Sequence, residues 1–327
     1  MKVETFCYLI PIFNFKIVPS GATLQHSGVL DGDKYDLTLK HYEEGSEELL
    51  KLLKRTDFSF NSLAGSPLYF HVVPEHFLTI EANQRWSRAP EGAANSPNAD
   101  RIRKAILDAL RLHASRGILY YQTYVSRYPS KGFFLTMAPS SSQDISSQGL
   151  LEPSVLTSSL FVDCIQSFET LLNKRWDDSI TVDRILKLAL AYHETTFHLL
   201  EVEHSFLLLM VIFDALFKRP KESTAGKASS RISELLSSKK SDRKAILKQF
   251  FGEDTHTFYK LRNQIVHGDP NLDIDVIKSK YPLLYQYITG AIVRVLEISR
   301  NEIDPTADYY DEISGYIDRY FTRLPHL

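Results

Sequence analysis

Arg262, Asn263 and His267 crowd the end of "FYKLRNQIVHGDP", and these three side-chain types together can move a proton beside a phosphate. At about 100° per residue, Asn263 and His267 (i, i+4) share a helix face, whereas Arg262 and His267 stand about 140° apart around the axis. A long guanidinium can bend toward a site that His267 faces, above all a site shared with a second subunit. Gly268 and Pro270 form a stop signal that puts His267 in the last turn, where the negative end of the helix dipole favours imidazolium. A histidine so placed can trade a proton. A guanidinium beside it can grip a phosphate through two parallel hydrogen bonds and stabilise a phosphorane. RNA would supply its own nucleophile, the 2′-hydroxyl, so this chemistry needs no metal or other cofactor. Helix capping alone would select the same basic residue before a glycine, with Arg262 paired to Asp269, Asp273 or a carboxylate elsewhere in the helices. Spacing leaves both readings open.

The elements that must position these residues are helices. From about residue 155 the pattern is almost wholly helical: "LFVDCIQSFETLLNKRW", "TVDRILKLALAYHETTFHLL", "EVEHSFLLLMVIFDALF", "SSRISELLSS", "DRKAILKQFF", "TFYKLRNQIVHG" and "IKSKYPLLYQYITGAIVRVLEIS". Apolar residues recur at three and four, as in Ile185, Leu188, Ala189 and Tyr192, which predicts a helical bundle. Tyr281, Leu284, Tyr285 and Ile288 form a stripe expected to be core or dimer contact.

The first 150 residues read differently. Short aromatic and β-branched runs ("FCYLIPIF", "YDLTLKHY", "SPLYFHVV", "GILYYQTYV", "GFFLTM") accompany one helix, "NADRIRKAILDALRLHASRG", which predicts a mixed α+β domain. "SRAPEGAANSPNAD" reads as a loop. The Ser-rich stretch of residues 139–159 has linker composition and places the boundary between a 1–150 domain and a 155–327 helical domain.

With 327 residues, 43% apolar and 24% charged, the chain has the composition of a globular protein able to bury two cores. Its net charge of -2 confines any polyanion site to a local patch. Such a patch exists: residues 218–248 carry ten Lys and Arg, Lys227 and Arg231 among them, against Glu222, Glu234 and Asp242. A solvated connection and a polyanion surface both fit it. Cys7 and Cys164 are the only cysteines and lie far apart, so neither a disulfide framework nor structural zinc is expected, and a reducing cytoplasmic setting fits. "FCYLIPIF" lacks the features of a signal peptide, and "FLLLMVIFDALF" is too short to span a bilayer and carries Asp214, so no membrane association is expected.

Rival chemistry is thin. Glu201 and His204 make the i, i+3 pair of carboxylate-bridged di-iron bundles, with His193, Glu194, His198 and Glu203 nearby, but a second E-x-x-H is missing. "HETTFH" spaces its histidines five apart rather than the four of zinc proteases. "TAGKASS" lacks the upstream glycine and strand of a phosphate loop, so nucleotide triphosphate hydrolysis is not expected.

In order, "RILKLALAYHETT", "FLLLMVIFDALF", "SSRISELL" and "LRNQIVHG" resemble the HEPN superfamily, in particular its Apea-like branch, over residues 181–299. The resemblance implies a helical domain that pairs into a homodimer and cleaves RNA without metal, in phage defence or a toxin-like role. His267 would be the general acid and base, Arg262 the phosphate contact and Asn263 a positioning group. Asp214 stands where the family has Glu; it would orient Arg262 with a shorter reach, while Lys227 and Arg231 would lie along the RNA backbone. Many relatives are instead RNA-binding or dimerisation modules, so a non-catalytic binding role is the alternative. The first 150 residues resemble no family and are expected to sense or recruit.

Overall fold

Alternation of apolar and polar residues in "DKYDLTLKH" buries Tyr35, Leu37 and Leu39 on one face of a strand and leaves Lys34 and Asp36 in solvent. The computed structural model describes residues 2–12, 15–18, 22–43, 46–48, 76–86, 97–113, 123–126, 134–137, 154–196, 199, 201–219, 221, 225–301, 309–311 and 313–315. The chain is α+β, with a strand-containing N-terminal region and a helix-rich C-terminal region. It divides into two compact units, Met1–Asn173 and Lys174–Leu327.

The first unit holds β1 (Lys2–Ile12), β2 (Phe15–Val18), β3 (Thr23–Leu30), β4 (Asp33–His41), β5 (His76–Trp86), β6 (Thr123–Ser126), β7 (Phe134–Met137) and β8 (Ser154–Thr157). Six of them form an antiparallel sheet in the order β3-β4-β5-β1-β6-β7, and β2 pairs in parallel with β8. The β3–β4 hairpin turns through Asp31 (φ 52°) and Gly32 (φ 85°), the Asp-Gly pair that a two-residue turn of matching twist requires. Gly28 stands opposite Tyr35, and a Cβ there would lie 2.3 Å from the tyrosine oxygen, so the ring lies across the bare glycine.

Helix α1 (Pro97–His113) packs on β5, and α2 (Ser158–Asn173) packs on α1. Phe161, Cys164, Phe168 and Leu171 recur on the buried stripe of α2. Both cysteines of the chain, Cys7 and Cys164, are buried free thiols of this unit.

The sequence pattern anticipates β1, β4, β6, β7 and α1, but not the short β2, nor β3, β5 or β8, whose polar residues dilute the strand signal. Residues 154–159 of the Ser-rich stretch form β8 and the start of α2. The division between units falls after Asn173, one helix beyond the boundary read from composition. An amphipathic stripe announces that α2 buries a face, not which neighbour covers it. "SPLYFHVV", the loop residues 87–96 and residues 138–153 lie outside the described residues.

The second unit is helical: α3 (Thr181–Thr196), α4 (Val202–Phe217), α5 (Ala225–Leu236), α6 (Lys240–Phe250), α7 (Phe258–His267) and α8 (Ile274–Asn301). The most apolar, α4, touches α3, α5, α7 and α8. Its Phe213 stacks on Phe250 of α6 at 4.6 Å between ring centroids, and Phe250 meets Phe258 of α7 edge-on at 4.9 Å. All three rings are fully buried, each worth about 2–3 kcal/mol in apolar burial. At the start of α3, buried Asp183 accepts Lys174 Nζ at 2.6 Å and the Asp177 backbone N–H at 2.9 Å. Leu284, Tyr285 and Ile288 are buried in α8, in keeping with the core reading of that stripe. Among the described residues no helix is long and apolar enough to cross a membrane.

Candidate functional site

Helix α7 is bounded by its own sequence. The Thr257 hydroxyl accepts the Lys260 N–H at its start. At its end Gly268 adopts a left-handed conformation (φ 61°, ψ 44°), with the Gly268 N–H on Ile265 O (3.1 Å) and the Asp269 N–H on Gln264 O (3.0 Å). His267 is therefore the last helical residue, as the stop signal predicts.

Phe258 and Leu261 turn inward and fix which face of α7 remains outside. That outer face carries Asn263, Val266 and His267, all exposed, with Arg262 half-buried at its edge. Arg262 Nη1 donates to Asn263 Oδ1 at 3.1 Å, and Arg262 makes no ion pair among the described residues. Its two local candidates are engaged elsewhere. Asp269 Oδ1 accepts the Asn271 N–H (2.9 Å), and Asp273 Oδ1 accepts the Asp275 N–H (2.9 Å) at the start of α8.

Asp214, in the last turn of α4, accepts the Tyr259 hydroxyl at 2.7 Å. The expected contact with Arg262 is replaced by one with the tyrosine a turn earlier on α7. An aspartate is one methylene shorter than glutamate, and the tyrosine supplies the reach from the other side. Tyr259 escapes sequence reading, although its i, i+4 spacing to Asn263 places it on the same outer stripe.

Arg231 Nη1 donates to Phe217 O at 2.5 Å, so this guanidinium caps the carbonyl end of α4. That contact brings α5 within a turn of Asp214. Lys227, one turn before Arg231, is exposed. Asp214, Tyr259 and Arg231 thus meet at the end of α4, whereas Arg262, three residues beyond Tyr259 on α7, has Asn263 as its hydrogen-bond partner.

The rival cluster disperses. His204 Nδ1 lies 3.2 Å from Glu201 Oε2 in solvent, while buried His193 bonds Thr289 Oγ1 (3.1 Å) and stacks on Tyr285. His198 lies outside the described residues. Among the described residues no group of three or more His, Cys, Asp and Glu side chains is placed to hold a metal ion.

The basic segment keeps its charge once folded. Across α5 and α6, Glu234 takes the Ser230 hydroxyl (2.7 Å) and Asp242 takes those of Ser241 (3.0 Å) and Ser237 (3.4 Å). Neither carboxylate neutralises a lysine. Lys227, Lys239, Lys240, Lys244 and Lys248 are exposed and make no ion pair among the described residues. Arg219, by contrast, is paired with Asp311.

No family model, curated protein or solved structure matches the chain.

Proposed function

We propose that the helical unit is a metal-independent endoribonuclease of the HEPN type, acting as a homodimer in a phage-defence or toxin-like role. The observation that carries this reading is the state of α7: Arg262 and His267 share its outer part, neither held in an ion pair among the described residues, with His267 in solvent. Structural caps of that composition would be expected to tie the arginine to an acid.

His267 removes the proton from the 2′-hydroxyl, whose oxygen attacks the adjacent phosphorus while the bond to the 5′-oxygen breaks. Arg262 donates two hydrogen bonds to the non-bridging oxygens and offsets the charge gathered on the phosphorane. The departing 5′-oxygen takes a proton from an imidazolium. Products are a 2′,3′-cyclic phosphate and a 5′-hydroxyl. Because Arg262 and His267 diverge by about 140° on one helix, a cleft between two copies of α7 lets the arginine of one meet the histidine of the other.

The alternative, a non-catalytic RNA-binding or dimerisation module, draws on the Arg262 to Asn263 hydrogen bond, which holds the guanidinium along its own helix. Labelled RNA incubated in EDTA with wild type, Arg262→Ala and His267→Ala separates the two. Cyclic-phosphate ends from the wild type alone support the nuclease. Equal background from all three preparations rejects it.

A further inference from the structure

Lys240, Lys244 and Lys248 fall at i, i+4 and i+8 and form one exposed row on α6, rising about 6 Å per step. Phe251 extends the row. Its N–H still donates to Leu247 O at 2.8 Å, so its Cα continues the helical path to i+11 from Lys240, on the lysines' side.

The phenylalanine doublet is split by this geometry. Phe250 is fully buried between Phe213 and Phe258, whereas Phe251 is 51% exposed. One edge of the Phe251 ring rests on Gly226 of α5: a Cβ there would meet Cδ1 and Cε1 at 3.5 Å. The ring is braced against α5 at Gly226 and stays about half in solvent. Lys227 follows Gly226 and adds a further exposed cation beside it.

We infer that the row Lys240, Lys244, Lys248 and Phe251 is a binding strip for single-stranded RNA, with the lysines on successive phosphates and one unpaired base stacked on Phe251. This deepens the nuclease proposal and rests on its RNA reading. The charge selects a polyanion, because the lysines meet no carboxylate among the described residues. The ring selects an unpaired strand, because bases in a duplex are already stacked and present no free face. A single row of lysines ending in an aromatic platform matches the pairing of backbone groove and stacking surface that unpaired strands require.

The test measures binding of a fluorescent 12-nucleotide single strand and of the corresponding blunt duplex by anisotropy in EDTA. His267→Ala serves as the background so that the probe survives. On it, Phe251→Ala should weaken single-strand binding about 5- to 100-fold, and Phe251→Tyr should retain it. Lys240→Gln, Lys244→Gln and Lys248→Gln combined should lower the slope of log affinity against log salt by about 2. Urea midpoints near the parent value certify folding, as Phe251 is half in solvent. Single-strand binding indifferent to Phe251→Ala overturns the strip and leaves the RNA reading standing. Duplex bound as tightly as single strand, or displacement by poly-glutamate as effective as by unlabelled RNA, also overturns it. Failure of the background protein to bind either RNA removes the RNA reading itself.

Discussion

The Tyr259 hydroxyl donates to the Asp214 carboxylate at 2.7 Å, joining the last turn of α4 to the helix that carries Arg262 and His267. The bond is part-buried and its acceptor is charged. Tyr259→Phe should cost about 1–2 kcal/mol in urea unfolding, while Asp214→Asn, which keeps a carbonyl acceptor, should cost less. Should the phenylalanine variant prove neutral, Asp214 is not holding α7.

Arg262 and His267 have few contacts to lose. Arg262→Ala and His267→Ala should each unfold within about 0.5 kcal/mol of wild type while lowering RNA cleavage at least about 100-fold. If the cleft is shared between copies, mixing the two inactive variants should restore part of the activity. In a heterodimer one site then pairs an intact arginine with an intact histidine. A mixture as inactive as its components would place both groups in one chain or neither in catalysis.

Gly268 holds φ at 61°, where a Cβ is strained. Gly268→Ala should destabilise by about 1 kcal/mol, and Gly268→Asn by less, since asparagine tolerates the left-handed region. The last turn carries His267, so the alanine variant should also show slower cleavage at equal folded fraction.

Burial, and then neighbouring His41, pull the His76 imidazole down to about 4 from the ordinary 6.5. As pH falls the unfolded chain therefore binds this proton first. The stability contributed by neutral His76 is complete above about pH 7, declines from about 6.5 and is lost by about 4, amounting to at most about 3 kcal/mol. Urea unfolding at pH 7, 5.5 and 4.5 should show a shallower decline for His76→Gln than for wild type. Parallel declines would mean that the histidine titrates alike in both states.

Asp183 and Lys174 form a largely buried pair. Asp183→Ala leaves the ammonium without its partner and frees the Asp177 N–H, so about 3 kcal/mol of stability should disappear, read by denaturant unfolding of the helical unit.

The helices of the second unit were legible through their apolar repeats, and α7 through a stop as well: Phe258 and Leu261 inside, Gly268 after His267. The edge of the site was not. That Asp214 meets Tyr259 rather than Arg262 depends on how α4 and α7 are placed, which no local pattern encodes. Phe250 and Phe251 are identical in type and adjacent, and only the packing of Phe213 and Phe258 decides which is buried. Strands β3 and β5 were hidden for a related reason. Residues such as Gln25, Ser27, Glu81 and Asn83 satisfy a sheet whose order, not whose composition, makes them strands.

Cys7 and Cys164 are both buried in the first unit, and the second contains no cysteine. Thiol chemistry is thereby confined to one half of the chain. A thiol-reactive dye in the native protein becomes a clock for the opening of the sheet unit alone, blind to any breathing of the helices that carry His267. The rate of labelling, set beside the unfolding of the whole chain, would reveal whether the two halves melt as one cooperative body or keep separate accounts of their stability.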